Sequence, residues 1–145
     1  MTKRVFTIGY ESATQAELIE ALRSAGVARV IDVRAVPNSR RPGFSKNALR
    51  GGLADAGIDY VHLRALGTPA DGRAAARRGD SAALDRIYAE QLETMEAVVE
   101  AERMRELAAE APSALLCYER DPEQCHRSLL RAAALSDWER IDLFC

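Results

Sequence analysis

Three features of the sequence predict an α/β domain of three layers, a mostly parallel sheet flanked by helices. Short β-rich apolar runs alternate with segments of helical periodicity. The connections between them are short, as in wound α/β folds. One run, Val27 to Val33 (VARVIDV), is largely apolar on both faces, as a buried parallel strand is and a half-solvated antiparallel strand is not.

The elements follow in order. Val5-Phe6-Thr7-Ile8 is β-rich and stops at Gly9, which marks a strand. Thr14-Gln15-Ala16-Glu17 has the spacing of a capping box, in which the hydroxyl caps the helix and the carboxylate reaches back. Leu18, Ile19, Leu22 and Ala25 then share a face, and Gly26 stops the helix. After the Val27–Val33 strand, Ser45 is placed to cap a helix running to about Ala56, with Phe44 and Leu49 spaced as a hydrophobic staple. Ile58 to Leu63 is a third strand, and the Gly-, Ala- and Arg-rich stretch Gly67 to Gly79, with Pro69 inside it, reads as a loop. From about Ser81 to Glu110 one long helical segment carries Leu84, Ile87, Tyr88, Leu92, Met95, Val98 and Val99 at helical spacing. Leu84, Ile87, Tyr88, Leu92 and Met95 are expected in the core, and a kink or break is expected near Ala101. Ser113 to Tyr118 is a fourth strand. Asp121-Pro122-Glu123-Gln124 starts another helix, ending near Leu135, and Arg140 to Phe144 is a last short strand.

The composition sets limits on function. A chain of 145 residues, 48% apolar, suits one compact domain over 1–145. Charged residues make up 29% and the net charge is −2, which excludes a disordered tail and histone-like bulk attraction to nucleic acid, and leaves room for a local basic patch. No apolar run approaches the ~18–20 residues of a membrane span. The opening MTKRVFTIGY enters a strand directly, so no signal peptide is expected. Three cysteines do not make a disulfide framework, and a reducing, cytoplasmic setting is expected.

In parallel sheets ligands sit outside the carboxyl ends of the strands. The reactive side chains of this sequence gather at those ends. The first strand ends in Gly9-Tyr10-Glu11 and the second in Asp32-Val33-Arg34, followed by Arg40, Arg41 and Lys46. The third ends in His62 and the fourth in Cys117-Tyr118-Glu119-Arg120, with Cys125-His126-Arg127 opening the helix beyond. Arg34, Arg40, Arg41, Lys46, Arg120 and Arg127 are the anion-binding candidates, because guanidinium forks grip phosphate or carboxylate and helix N-termini add N–H donors. The competing structural reading pairs Arg34 with Asp32 or Glu119 and leaves Arg40 and Arg41 in solvent. Cys117, Cys125, His126 and Asp32 are the catalytic candidates. Either thiol could serve as a nucleophile, and Asp32 could serve as a general base. Against this, Asp121 and Glu123 oppose a thiolate at Cys125, Cys117 continues an apolar strand, and Asp32 has an arginine beside it. Tyr10, His62 and Tyr118 would line the crevice, where a ring beside arginines can stack on a base or simply close the core edge. Cys117, Cys125, His126 and His62 have the ligand types of zinc but no tight spacing, so no metal and no cofactor is expected. Cys145, the last residue, is read as incidental.

Three segments together resemble the DUF 488 family, a domain of unknown function. They are Thr7-Ile8-Gly9-Tyr10, then Ile31-Asp32-Val33-Arg34 with Pro37, Ser39 and Arg40, and Cys117 with Asp121-Pro122 and Cys125-His126-Arg127-Ser128. Phe44-Ser45-Lys46 and Tyr60-Val61-His62-Leu63 fit as well, so the resemblance spans the chain. It implies an α/β sandwich and no particular reaction. Where a second glycine is expected after Gly67, this chain has Thr68-Pro69. A weaker likeness to rhodanese-like domains rests on Ile31 to Arg34 and Cys117, but eleven positions run from Cys117 to Arg127 and include Pro122, unlike the short rhodanese loop.

The expected function is therefore an anion site, for phosphate or a nucleotide, at the carboxyl edge of the sheet. Arg34, Arg40 and Arg127 would recognise the ligand, with Asp32 and His126 as polar or acid–base partners. The reaction class would be a transferase or hydrolase on a phosphate-bearing small molecule or nucleic acid, assisted by Cys or His. The alternatives are a non-catalytic module for nucleic acid or a protein partner, and a sulfur carrier using Cys117. No membrane partner is expected, and the oligomeric state is not set by the sequence.

Overall fold

The computed structural model describes residues 3–120 and 126–145, and of residues 126–128 the backbone alone. Strands β1 (Arg4–Gly9), β2 (Arg29–Asp32), β3 (Asp59–His62), β4 (Ser113–Cys117) and β5 (Glu139–Leu143) form one sheet in the order β3-β2-β4-β1-β5. Every pairing in it is parallel, with Gly9 opposite Cys117 and Asp32 opposite both Leu116 and His62. Helices α1 (Gln15–Ser24) and α2 (Lys46–Asp55) follow β1 and β2. Helices α3 (Ala70–Arg77), α4 (Ser81–Leu92) and α5 (Met95–Glu110) fill the crossover from β3 to β4, and α6 (His126–Ala134) leads to β5. A short 3-10 turn at Arg64–Leu66 leaves β3.

The order of the strands places the helices. From β1 the chain steps one way across the sheet to β2 and β3, and then returns to β4 and β5. Right-handed crossovers in opposite directions must lie on opposite faces. Leu18, Leu22, Leu49 and Leu53 of α1 and α2 accordingly pack with Phe6, Ile8, Val30 and Leu116 on one face. Tyr88, Ala97, Met104, Leu107 and Leu130 of α4, α5 and α6 pack with Val5, Ile31 and Leu115 on the other, where Trp138 is also buried. The result is the three-layer α/β domain expected, with an all-parallel sheet. No helix among the described residues is long and apolar enough to cross a membrane.

Local signals account for most boundaries. The capping box is complete: Thr14 Oγ1 accepts from Glu17 N at 3.1 Å, and Glu17 Oε1 accepts from Thr14 N at 2.9 Å. Ser45 does stand at the N-cap of α2, but its hydroxyl does not cap the helix. It accepts from Ser39 N at 3.0 Å and donates to Ser39 O at 3.2 Å, tying down the loop ahead of the helix.

Three expectations are corrected. The Gly67–Gly79 stretch is not a loop, because Ala70–Arg77 is helical. Alanine and arginine, both strong helix formers, occupy six of its eight positions (ADGRAAAR), and Pro69 stands at the N-cap, where the helix requires no N–H. The long helical segment neither kinks nor breaks near Ala101. It breaks at Glu93-Thr94, where Thr94 Oγ1 accepts from Ala97 N at 3.2 Å and starts a new helix. That restart turns the apolar pattern, so Ala97, Met104, Leu107 and Ala108 take the core, while Met95, Val98 and Val99 face solvent, Met95 at 80% exposure. The helix start at Asp121-Pro122 lies outside the described residues.

At the carboxyl edge, backbone packs directly on backbone. Tyr10 N donates to Cys117 O at 3.3 Å and Glu11 N to Tyr118 O at 2.8 Å, so the segments leaving β1 and β4 run on together. A side chain at Gly9 would put its Cβ 1.7 Å from Glu119 O, and one at Gly67 would lie 2.2 Å from Ala35 N. Gly9→Ala is therefore expected to force these two segments apart and cost about 3 kcal/mol, read as a lowered midpoint in urea denaturation.

Candidate functional site

Asp32 ends β2, and Arg34, two residues beyond the strand, turns its side chain back onto it. Both are buried, Asp32 completely. Arg34 Nε and Nη2 donate to the two carboxylate oxygens at 2.9 and 2.7 Å, the bidentate fork that matches carboxylate geometry. Arg34 Nη1 donates to Tyr10 Oη at 3.2 Å and to Phe44 O at 2.7 Å. Asp32 also accepts from Arg34 N at 3.0 Å and from the Tyr60 hydroxyl. Each carboxylate oxygen of Asp32 therefore receives two donors, which fills its acceptor capacity.

The electrostatics follow from burial. Desolvation, the largest influence on Arg34, disfavours its charge, but the hydrogen bonds and attraction of Asp32 outweigh it and hold the guanidinium above its ordinary pKa. Burial, followed by the negative charge of Asp32, pushes the Tyr60 hydroxyl above its usual range. His62 Nε2 lies 2.7 Å from Arg34 O, which ties the end of β3 to the same centre. Tyr10 stacks on Phe44 with centroids 4.5 Å apart and planes at 11°, and Arg34 lies 5.3 Å from the centre of the Tyr10 ring.

A cleft of about 880 Å³ opens beside this centre. It sits outside the carboxyl ends of β2, β4 and β1, where neighbouring strands send their chains to opposite faces, the switch point at which wound sheets take ligands. Tyr10, Arg34, Cys117 and Tyr118, all expected at the site, line it together. Cys117 is buried at the end of β4, and Tyr118 is 44% exposed, its ring perpendicular to Tyr10 at 5.3 Å.

Other expected residues lie elsewhere. Asp32 is sealed beneath Arg34, and neither it nor His62 lines the cleft. Arg40 is exposed on the loop before α2, away from the lining. Arg41 donates to Ala13 O and lies 5.9 Å from the centre of the Phe44 ring, so it fastens that loop to the chain before α1. Lys46 opens α2, with its N–H on Pro37 O at 2.8 Å. Arg120 has its guanidinium 4.9 Å from the centre of the Phe144 ring, and its backbone N–H donates to Glu11 Oε1 at 3.1 Å. The Cys145 thiol donates to Gly9 O at 3.4 Å. Cys125 lies outside the described residues, and His126 and Arg127 are described only as backbone in the first turn of α6.

Glu119, from the end of the fourth strand, lines the cleft too. The cleft also has walls that the sequence reading missed: Arg73 and Arg77 of α3 and Asp85 of α4. Arg73 donates to Thr68 O at 2.9 Å. Arg77 is exposed, and its side chain makes no hydrogen bond or ion pair among the described residues. The signal was present: two arginines four apart share one side of a helix. Reading the segment as a loop hid it.

The model of the family described as Domain of unknown function DUF488 matches residues 14–134. The chain belongs to the DUF488 family. No curated protein and no solved structure matches the chain. The rhodanese-like resemblance has no support beside this match. In this DUF488 domain the matched span takes in the Asp32–Arg34 centre and all the cleft lining except Tyr10.

Two outcomes are expected. Asp32→Asn leaves a buried guanidinium without its counter-charge and should cost about 3–5 kcal/mol in urea denaturation. The raised Tyr60 pKa means that the folded state keeps this proton longer than the unfolded chain, so its contribution is complete below about pH 10 and is lost as pH rises through the folded value. Stability measured from pH 9 upward should therefore fall less steeply in Tyr60→Phe than in the wild type.

Proposed function

We propose that this domain binds a phosphate-bearing ligand in the cleft at the carboxyl edge. The observation that carries the reading is the pair of arginines on one side of α3, Arg73 and Arg77, facing an open cleft at the topological switch point. Side chains four apart on a helix are neighbours, about 5–6 Å apart at Cβ. Two forks at that spacing suit a group with several anionic oxygens. Arg34 supports the site in another way: its fork is committed to Asp32, Tyr10 and Phe44, so it shapes the floor of the cleft.

The test is thermal unfolding with inorganic pyrophosphate. At 100 times its Kd a ligand stabilises by about 2.7 kcal/mol, a rise in Tm of roughly 5–10 °C for a chain of this size. Arg77 is exposed and holds nothing else in place, so Arg77→Ala should keep the unliganded Tm and weaken pyrophosphate at least about tenfold, as expected for loss of a charged hydrogen-bond donor. Pyrophosphate affinity that is unchanged in both Arg73→Ala and Arg77→Ala would remove the reading.

A further inference from the structure

We infer that the ligand is a nucleoside phosphate, with its base on Tyr118, its ribose beside Asp85, and its phosphate on α3. The inference rests on the anion reading above and goes on to specify the rest of the ligand.

Three observations carry it. The first is size. About 880 Å³ far exceeds the needs of an inorganic anion and lies within the range of sites for whole small molecules. The second is charge. Asp85 lines the same cleft as Arg73 and Arg77. A carboxylate repels phosphate, so a site built for a bare anion would gain nothing from it. It accepts hydrogen bonds from hydroxyl groups, and a ribose presents such hydroxyls next to its phosphate. The third is the ring of Tyr118. It is 44% exposed although largely apolar, and Val36, also at the cleft, is 48% exposed. The perpendicular contact with Tyr10 fixes the Tyr118 ring but covers at most one of its faces. Tyr10 is itself clamped by Phe44 and Arg34, so Tyr118 stands on a rigid support. A fixed ring with an open face is a stacking platform for a base. A polyanionic end, a hydroxylated middle and a planar end together describe a nucleoside phosphate.

The experiment is calorimetric titration of the full chain with inorganic pyrophosphate, ribose 5-phosphate and the 5′-monophosphates of adenosine, guanosine, cytidine and uridine. Ribose 5-phosphate and the nucleotides carry the same phosphate and differ in the base. At least one nucleotide is expected to bind about tenfold or more tighter than ribose 5-phosphate, the size of one stacking contact. Tyr118→Ala should erase that advantage and leave ribose 5-phosphate and pyrophosphate unchanged, while Tyr118→Phe keeps it. Asp85→Asn should weaken ribose 5-phosphate and the nucleotides severalfold and leave pyrophosphate as tight or tighter. If pyrophosphate binds but no nucleotide exceeds ribose 5-phosphate, the nucleoside inference is overturned and the anion reading stands. A nucleotide preference that survives Tyr118→Ala overturns it as well. If no ligand binds, pyrophosphate included, both fall.

Discussion

The buried pair of Asp32 and Arg34 is the constraint on which the carboxyl edge depends. Removing two charges from water costs several kcal/mol each, and their attraction offsets this only when every donor and acceptor is matched. Here the matching is supplied by other parts of the chain. Tyr10 comes from the segment after β1, Tyr60 and His62 from β3, and the Phe44 carbonyl from the loop before α2. A pair two residues apart at the end of β2 thus orders three strand ends and a loop. None of these segments can move far without leaving a buried charge or hydroxyl unsatisfied.

The two close approaches complete this arrangement from the backbone side. Gly9 lets the chain after β4 lie against β1, and Gly67 lets the chain after β3 lie against Ala35 after β2. The loops are thereby drawn together in two pairs. The cleft is the space left between them, walled by α3 and α4 from the other layer. Its position follows from topology and its shape from two missing side chains.

The layers were legible in the sequence because burial and capping leave local marks. Thr14 and Glu17 sit at the spacing of a capping box, and VARVIDV could only be buried on both faces. The crossover from β3 to β4 was not legible to the same degree. In Gly67–Gly79 the punctuating residues Gly and Pro outweighed an alanine-rich centre, yet Pro69 stands before the helix and does no harm there. In the Ser81–Glu110 segment the apolar spacing carried on past Thr94, although a threonine cap was enough to restart the helix with a different face inward. The place of the candidate cleft was legible, since strand ends follow from the strands. Its membership was not, because a cluster of arginines along the chain, such as Arg40 and Arg41, need not point to one place in space.

Burial separates the arginines into two kinds that sequence alone does not distinguish. A guanidinium enclosed with a carboxylate, as in Arg34, has its donors spent, and its charge is already answered; a new anion would have to compete with Asp32 at bonding distance. A guanidinium on an exposed helix face at a cleft, as in Arg77, keeps its donors in water until something displaces it. Exchanging that water for a phosphate costs little desolvation and adds a charge-assisted bond. The same arithmetic applies to the acids: Asp32 is fully occupied, and Asp85 is solvated. The chemistry open to a ligand is therefore set by the less buried groups around the cleft, and the buried pair sets where those groups stand.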